Sequence, residues 1–263
     1  MTRPQPRQAP ATPQPRFSLR LARDAADRAA AERLRYAVFV EELGGDGPLV
    51  DHAARRERDA FDDHATQLLL LDETRAPEEA VVGLYRLMDD AAAVAAGRFY
   101  TEAEFDLAPL RASGRSLLEL GRSCLHPQYR GGPAMMHLWQ GLSAHVSDHG
   151  YEVLFGTASF HGTDLAALAE PLSLLQEAHL APADLRVCAR GGAVLPAPAG
   201  PVDRRRAMLA MPALIKAYLR LGGKVGEGVF VDRAFNTTDV CMILDAAQVT
   251  PQGRRFYEAP QPG

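Results

Sequence analysis

The segment Leu117-Leu118-Glu119-Leu120-Gly121-Arg122-Ser123-Cys124 sets an acid and an arginine inside an apolar run. Such a run reads as a strand, so its two charges must lie buried or in a cleft. A carboxylate in apolar surroundings has a raised pKa and can serve as a base near neutrality. In a regular strand, residues 119 and 122 point to opposite faces. Gly121 between them invites a β-bulge, which shifts the phase by one and lets Glu119 and Arg122 share a face. The residue types leave two outcomes open, a reacting pair or an ion pair that holds the strand in place.

The pattern on either side predicts an α+β fold. Phe17–Leu21 alternates as a strand, and Asp24 caps a helix running to about Val40, with Asp27 in the N3 slot. Gly44 to Pro48 ends that helix, and a charged loop follows from Asp51 to Asp63. Strands are expected at Gln67–Leu71 and Ala80–Leu87, joined by a turn around Pro77. A long excursion then runs from Asp89 to Gly114. After the central strand come a helix from Met135 to His149 closed by Gly150, a strand at Val153–Ser159, and helical structure from Asp164 to Ala178. A helix from Met211 to Leu221 tolerates Pro212 in its first turn, and Val225–Val231 and Val240–Leu244 pair as closing strands. This order favours a mostly antiparallel sheet with helices on both faces. Residues 1–15 and 251–263 are expected as tails, 16–250 as a single domain, and 190–206 as a mobile loop within it.

Composition narrows the function. The formal net charge of −4 argues against bulk electrostatic binding of nucleic acid. The 3 cysteines are far apart and fit a reducing compartment, and with no CxxC or HExxH pattern a metal site is not expected. The opening Met1–Arg16 lacks an apolar core, and no later run reaches the ~18 residues that span a bilayer. A cytoplasmic protein, bound at most peripherally to a membrane surface, is the expectation.

Other residues suggest a site. Arg35 and Phe39 lie four apart on one helical face, Asp59 and Asp62 follow in the loop, and Arg86 ends a strand. Arginine can grip a carboxylate with two parallel bonds, and aspartate can hold an ammonium. A solvated helix face and polar loop would read the same way. Leu125 to Pro133 forms a Gly-bearing turn before a helix, where backbone N–H groups could meet a phosphate. His145 and His149 lack a third ligand, and Cys124 suits a small apolar filler better than a nucleophile.

Motifs in order along the chain carry a resemblance. They are Arg35-Tyr-Ala-Val-Phe-Val-Glu-Glu42, Phe61-Asp62, Val81-Val-Gly-Leu-Tyr-Arg86, Phe99-Tyr-Thr-Glu-Ala-Glu-Phe105, Leu118-Glu-Leu-Gly-Arg-Ser-Cys124, Ala158-Ser-Phe-His-Gly-Thr-Asp164, Leu214-Ile-Lys-Ala-Tyr-Leu-Arg-Leu-Gly222 and Phe235-Asn-Thr-Thr-Asp-Val-Cys241. Together they span about residues 30 to 245. The sequence resembles the ornithine–acyl carrier protein N-acyltransferases, which begin ornithine-lipid synthesis. That family has a GCN5-related N-acetyltransferase-like fold and is similar to the acyl-homoserine-lactone synthases. The chain lacks a tryptophan after Phe39, its only one being Trp139, which departs from those synthases. Its nearest match to a pyrophosphate loop, Gln128-x-x-Gly131-x-Pro133, ends on a residue without an N–H, which suits a carrier-borne thioester better than coenzyme A.

The resemblance implies transfer of a 3-hydroxyacyl group from the phosphopantetheine of acyl carrier protein to the α-amine of ornithine. No other cofactor, metal or nucleic acid is implied, and contact with a membrane surface would be transient. Glu119 would be the base and Arg122 its partner. Arg35, Phe39, Asp59, Asp62, Arg86, Ser159 and Phe160 would meet substrate. Ser123, Leu125, Arg130, Gly131 and Gly132 would meet the pantetheine. Trp139, Leu142, Leu154, Phe155 and Phe160 are candidates for an acyl slot, and Arg55, Arg56, Arg58, Arg204–Arg206, Lys216 and Arg220 for docking the acidic carrier. Glutamine or lysine as acceptor, autoinducer synthesis, and a silent carrier-binding protein stay open as alternatives.

Overall fold

The computed structural model describes residues 14–249 apart from Gly192 and Ala199; the expected tails therefore lie almost wholly outside the described residues. The first half of the chain contains β1 (Phe17–Leu21), α1 (Ala25–Arg35), β2 (Thr66–Asp72), β3 (Val81–Asp89), α2 (Asp90–Ala96), β4 (Phe105–Asp106), α3 (Ala108–Ala112) and β5 (Leu117–Leu125). The second half contains α4 (Ala134–His149), β6 (Val153–His161), α5 (Ala169–Ala178), β7 (Cys188–Ala189), α6 (Arg204–Ala210), α7 (Ala213–Arg220), β8 (Lys224–Val225), β9 (Phe230–Asp232) and β10 (Thr237–Asp245).

One sheet runs β1-β2-β3-β5-β6-β10-β8, with β9 also on β10. Every pairing in it is antiparallel except β5 with β6. That pair is parallel because α4 carries the chain back between them, as parallel neighbours require. Alternation along the strands feeds two faces. Leu68 and Leu70 of β2 enter the larger core with Leu138 and Leu142 of α4, Leu172 of α5 and Ile215 of α7. Leu69 points the other way, to Ala30, Ala31 and Leu34 of α1.

Most expected elements form, and the departures have local causes. Asp24 caps α1 by accepting from the Asp27 N–H at 2.9 Å, but beyond Arg35 the helix widens into a π-helical stretch, Tyr36–Glu42. Such widening is rare and often sits at functional sites. The predicted helix from Asp164 starts only at Ala169, because the Asp164 carboxylate caps a separate turn at Ala166 and Ala167. The loop expected through residue 206 stops at Asp203, whose carboxylate accepts from the N–H groups of Arg205 and Arg206 and starts α6. The single strand expected at Val225–Val231 is split into β8 and β9 around Gly228, which adopts φ +78°.

Two irregularities position the site. The β3–β5 register passes from Leu84↔Cys124 to Arg86↔Gly121, so Arg122 and Ser123 together face Tyr85. This is the bulge anticipated at Gly121, with Arg122 itself in the left-handed region at φ +49°. Leu118, Leu120 and Leu125 therefore face the larger core, while Glu119, Arg122 and Cys124 face the α1 side. In addition, β5 and β6 pair only from Leu117↔Val153 to Glu119↔Phe155 and then part.

At the point of parting, a Cβ on Gly156 would stand 2.2 Å from the Leu120 carbonyl oxygen. Gly156→Ala must push β6 off β5. An overpacking cost of about 1–3 kcal/mol is expected, seen as a drop in Tm of about 2–4 °C per kcal/mol. An unchanged Tm would show that the strand spacing is not set there.

Candidate active site

On the α1 side of the bulge, three arginines and three carboxylates form a closed ionic core. Arg35, from the end of α1, is wholly buried. Its Nε donates to Glu57, and Nη1 and Nη2 donate to Asp62 at 2.5 and 3.0 Å. Arg86, from β3, donates to Asp59 at 2.6 Å and to Asp62 at 3.4 Å. Arg122 donates to Asp59 at 2.9 Å and lies 3.3 Å from Glu57. Asp62 also accepts from the Asp59 N–H and the Gln67 amide. Burial opposes charge on Asp62, but Arg35 and Arg86 outweigh it and hold the carboxyl far below its usual range. Asp59 is lowered likewise, burial being outweighed by Arg86 and Arg122. Removing one member of such a core strands its partner in low dielectric, at about 3–5 kcal/mol.

This core corrects several expected roles. Arg35, Arg86 and Asp62 are spent on one another and buried, so none reaches an acceptor. Asp59 is bound to two guanidinium groups and does not read an ammonium. Glu57, absent from the expected set, joins Arg35 to Arg122. Its only signal in the sequence was a place in a charged loop.

Glu119 shares the bulged face as anticipated, yet it lies outside the lining of the cavity where β5 and β6 part. Its carboxylate accepts from the N–H groups of Tyr100 and Thr101 at 3.0 and 2.6 Å, and the residue is 2% exposed. Burial raises its pKa against these bonds. The side chain anchors the turn Tyr100–Ala103, which corrects its expected place as a base in contact with the acceptor. What it positions is Tyr100, whose ring packs 4.7 Å from the Arg122 guanidinium carbon.

Where β5 and β6 part, a cavity of about 220 Å³ opens. Its lining comes from both faces of the sheet, so it passes between the two strands. On the larger-core side the wall is Leu120, Leu154, Leu214, Tyr218, Met242 and Leu244. On the α1 side it is Tyr100, Glu104, Arg122, Asp232, Thr237 and Asp239, with Phe39 from the π-helical stretch. Ser123, Phe155 and Ser159 also line it. Of the expected residues, the structure thus brings Phe39, Arg122, Ser123, Leu154, Phe155 and Ser159 to one cavity.

The acidic wall was not foreseen. Glu104, Asp232 and Asp239 each present a carboxylate oxygen, all within 4.8 Å of one another. Glu104 sits between the Tyr100–Ala103 turn and β4, its carbonyl accepting from the Arg190 N–H at 2.7 Å. Asp232 ends β9, and Asp239 lies on β10 opposite Ser159. Burial and the neighbouring Asp239 and Asp232 push the Glu104 carboxyl up to about 9. Burial and Asp232 raise Asp239 to about 6, against hydrogen bonds from Ser159 and Thr237. The available signal was the one used for Glu119: Glu104 abuts Phe105, and Asp239 opens the apolar run Val240–Leu244.

The remaining expected residues lie elsewhere. Phe160 and Trp139 are packed in the larger core and do not line the cavity, which corrects their acyl-slot and substrate roles, whereas Leu142, also core, lines a second cavity that shares Leu154 and Leu244 with the first. The Leu125 side chain is core as well, and its carbonyl accepts from Arg130 at 3.2 Å. Arg130 pairs doubly with Glu42 at 2.5 and 2.7 Å, while Gly131 and Gly132 form an exposed turn before α4. Burial drives the Cys124 thiol up to about 12, so it stays protonated as a filler. Arg55, Arg56 and Arg58 face Glu41, Glu32 and Asp63, and Arg206 faces Glu170.

Residues 34–140 match the model of an acetyltransferase (GNAT) domain. The chain is 56% identical over 244 residues to an L-ornithine N(alpha)-acyltransferase of Rhodobacter capsulatus, covering 92% of this chain and 94% of that protein. It is 39% identical over 250 residues to the enzyme of the same name from Brucella abortus, covering 92% and 89%. Among solved structures, it is similar in fold to FeeM, an N-acyl amino acid synthase from uncultured soil microbes, with a TM-score of 0.55, 13% identity, and 92% and 98% of the two chains covered.

Two outcomes are expected from this geometry. Glu119→Gln replaces one of two accepting oxygens with a donor facing an N–H. It should cost about 1–3 kcal/mol of stability and lower turnover by loosening Tyr100, while the pH–rate profile keeps its shape. Loss of the acidic limb in that variant would return Glu119 to the base role. The second outcome concerns pH. Glu104 and Asp239 ionise near ordinary carboxylate values when unfolded but resist ionisation when folded. Their contribution is therefore fully present below the unfolded values and is lost as pH rises through about 6 and about 9. Thermal unfolding of the free protein from pH 5 to 9 should show a falling Tm, and Glu104→Gln should flatten the fall and raise Tm at its alkaline end. A variant that keeps the wild-type slope would contradict this assignment.

Proposed function

The chain belongs to the L-ornithine N(alpha)-acyltransferase family, and from that premise we propose that it transfers a fatty acyl group from a thioester to the α-amine of L-ornithine, in the cavity between β5 and β6. The observation that carries the placement is the character of that cavity. It has a carbon-lined end on one face of the sheet and an ionic end on the other, joined where the strands part. A fatty thioester and an amino acid have those two characters, and their reacting atoms would meet at the junction.

At the junction stand Arg122 and Ser123, the two bulge residues. The Arg122 guanidinium is fixed from behind by Glu57 and Asp59 and fronts the cavity, so it suits the acceptor's carboxylate. A fixed cation loses little orientational freedom on binding. The backbone of the bulge stands outside the regular ladder and is the part of the wall suited to receive the carbonyl oxygen as it becomes an oxyanion. The amine enters as its free base and attacks the thioester carbon. A C–N bond forms, the C–S bond breaks, and the amine's released proton ends on the departing thiol.

Acyl carrier protein as the donor, and a 3-hydroxyacyl group as its cargo, belong to the same proposal. Support comes from the turn before α4: Pro133 contributes no N–H, and Arg130 is tied to Glu42. A pyrophosphate would find few partners there, whereas a carrier-borne thioester has none to place. Among the described residues no helix is long and apolar enough to cross a membrane. A lipid product would bring the protein into transient contact with a membrane surface.

Purified protein should convert ornithine to Nα-acylornithine with 3-hydroxyacyl carrier protein, read by mass spectrometry, and much more slowly with the coenzyme A ester. Acylation of glutamine or lysine in preference to ornithine would overturn the acceptor, and equal rates with the two donors would overturn the carrier. Leu214→Trp, at the carbon-lined end, should shift preference to shorter chains by ~0.8 kcal/mol for each methylene displaced. Competition between acyl donors of different length measures it, and an unaltered length profile would place the chain elsewhere.

A further inference from the structure

We propose that Glu104, Asp232 and Asp239 form the socket for the acceptor's side-chain ammonium, and that this socket fixes both the preference for a diamino acid and which of its two amines is acylated. The proposal rests on the function read above and goes beyond it in naming the residues that recognise the acceptor.

Two independent features point to a cationic occupant. The first is convergence: three carboxylate oxygens lie within 4.8 Å on the wall of one cavity. The second is that the two most buried of these groups each keep one oxygen without a donor, while the other Asp239 oxygen accepts from Thr237 at 3.3 Å. Glu104 and Asp239 are each 4% exposed, and Glu104 Oε2 and Asp239 Oδ1 have no hydrogen-bond partner. Among the described residues, none of the three acids makes an ion pair. The contrast with the neighbouring core is chemical. There every carboxylate has a guanidinium, whereas here acids crowd acids with no cation between them. Buried acceptors without donors are costly, and a folded protein keeps them where a ligand supplies the missing donor. An ammonium brings three N–H donors and one positive charge, which matches three convergent oxygens.

The surroundings indicate which amine it is. Arg122 lines the same cavity as Glu104 and Asp239, so a positive and a negative subsite lie on the same wall. A molecule with a carboxylate at one end and an ammonium at the other spans them. Carboxylates stabilise the protonated form of an amine. An amine seated among three of them stays charged and cannot attack a thioester. The socket therefore suits the amine that is not acylated, and the α-amine is left toward the junction at Arg122 and Ser123. Regiochemistry then follows from electrostatics: the trio suppresses the side-chain amine as a nucleophile while holding the molecule in place.

The test compares L-ornithine with L-norvaline, the same carbon chain without the side-chain amine. Acylation kinetics and calorimetric binding are measured on the full chain, for the wild type, Asp239→Asn and Glu104→Gln. The wild type should favour ornithine by at least about 100-fold in kcat/KM, a floor set below the roughly 10^4-fold by which a site built for a polar group rejects an analogue lacking it. Each variant should lose at least about 10-fold of that preference, mostly through KM for ornithine. Glu104→Gln is expected to be at least as stable as the wild type, so it keeps the test open should Asp239→Asn fold poorly. Folded variants that retain the preference would overturn the socket while leaving the activity intact. Should the wild type acylate neither compound, the reading of function fails, and calorimetry still decides the socket: ornithine binding that the variants do not weaken overturns it. Stabilisation of the wild type by millimolar calcium or magnesium, with none from ornithine, would also overturn it, by making the trio a metal site.

Discussion

The position of Arg122 is the constraint on which the site depends. A non-glycine residue at φ +49° in the middle of a central strand is strained, by about 1–3 kcal/mol in such regions. It persists because both ends of its environment are fixed. Behind it, Glu57 and Asp59 draw the guanidinium toward the ionic core, and in front Tyr100 stacks on it. Glu119 holds Tyr100 by its backbone, so the acid expected to do chemistry instead supports the arginine that fronts the cavity. The pair in the strand acts as a unit, through a turn contributed from 19 residues away.

The two groups of buried charge differ in kind. Around Arg35, Arg86 and Arg122, cations and anions match, and the group ties α1, the charged loop, β3 and β5 into one block. Around Glu104 and Asp239 they do not match, and the carboxyls are pushed upward. The first arrangement supports the fold and the second strains it. That division is typical of proteins in which one region is rigid so that another can be held in a state suited to a ligand. The gap between β5 and β6 does the rest, since it connects the strained region to a carbon-lined space on the opposite face.

Much of the fold was legible from the chain because its causes are local. Alternation located the strands, Asp24 and Gly150 marked helix ends, and Gly121 announced the bulge, down to the shared face of Glu119 and Arg122. The errors were also local in origin. Capping at Asp164 and Asp203 competes with the turn-or-loop pattern that surrounds each, and Gly228 divides what looked like one strand. The widening of the helix after Arg35 has no pattern that sets it apart from an ordinary helix.

By itself, the sequence determined that an acid and an arginine lie in a buried strand, that this strand bulges, and that helices cover both faces of a mostly antiparallel sheet, because periodicity and backbone preference act over a few residues. Tertiary structure alone decided which charges are satisfied. Arg35 and Asp62 are 27 residues apart, and Arg122 and Asp59 are 63 apart. Glu104 meets Asp232 and Asp239 only because β9, β10 and the Tyr100 turn arrive at one wall. Whether a carboxylate is a structural anchor or an open acceptor depends on the groups that reach it through space, and no spacing along the chain records that.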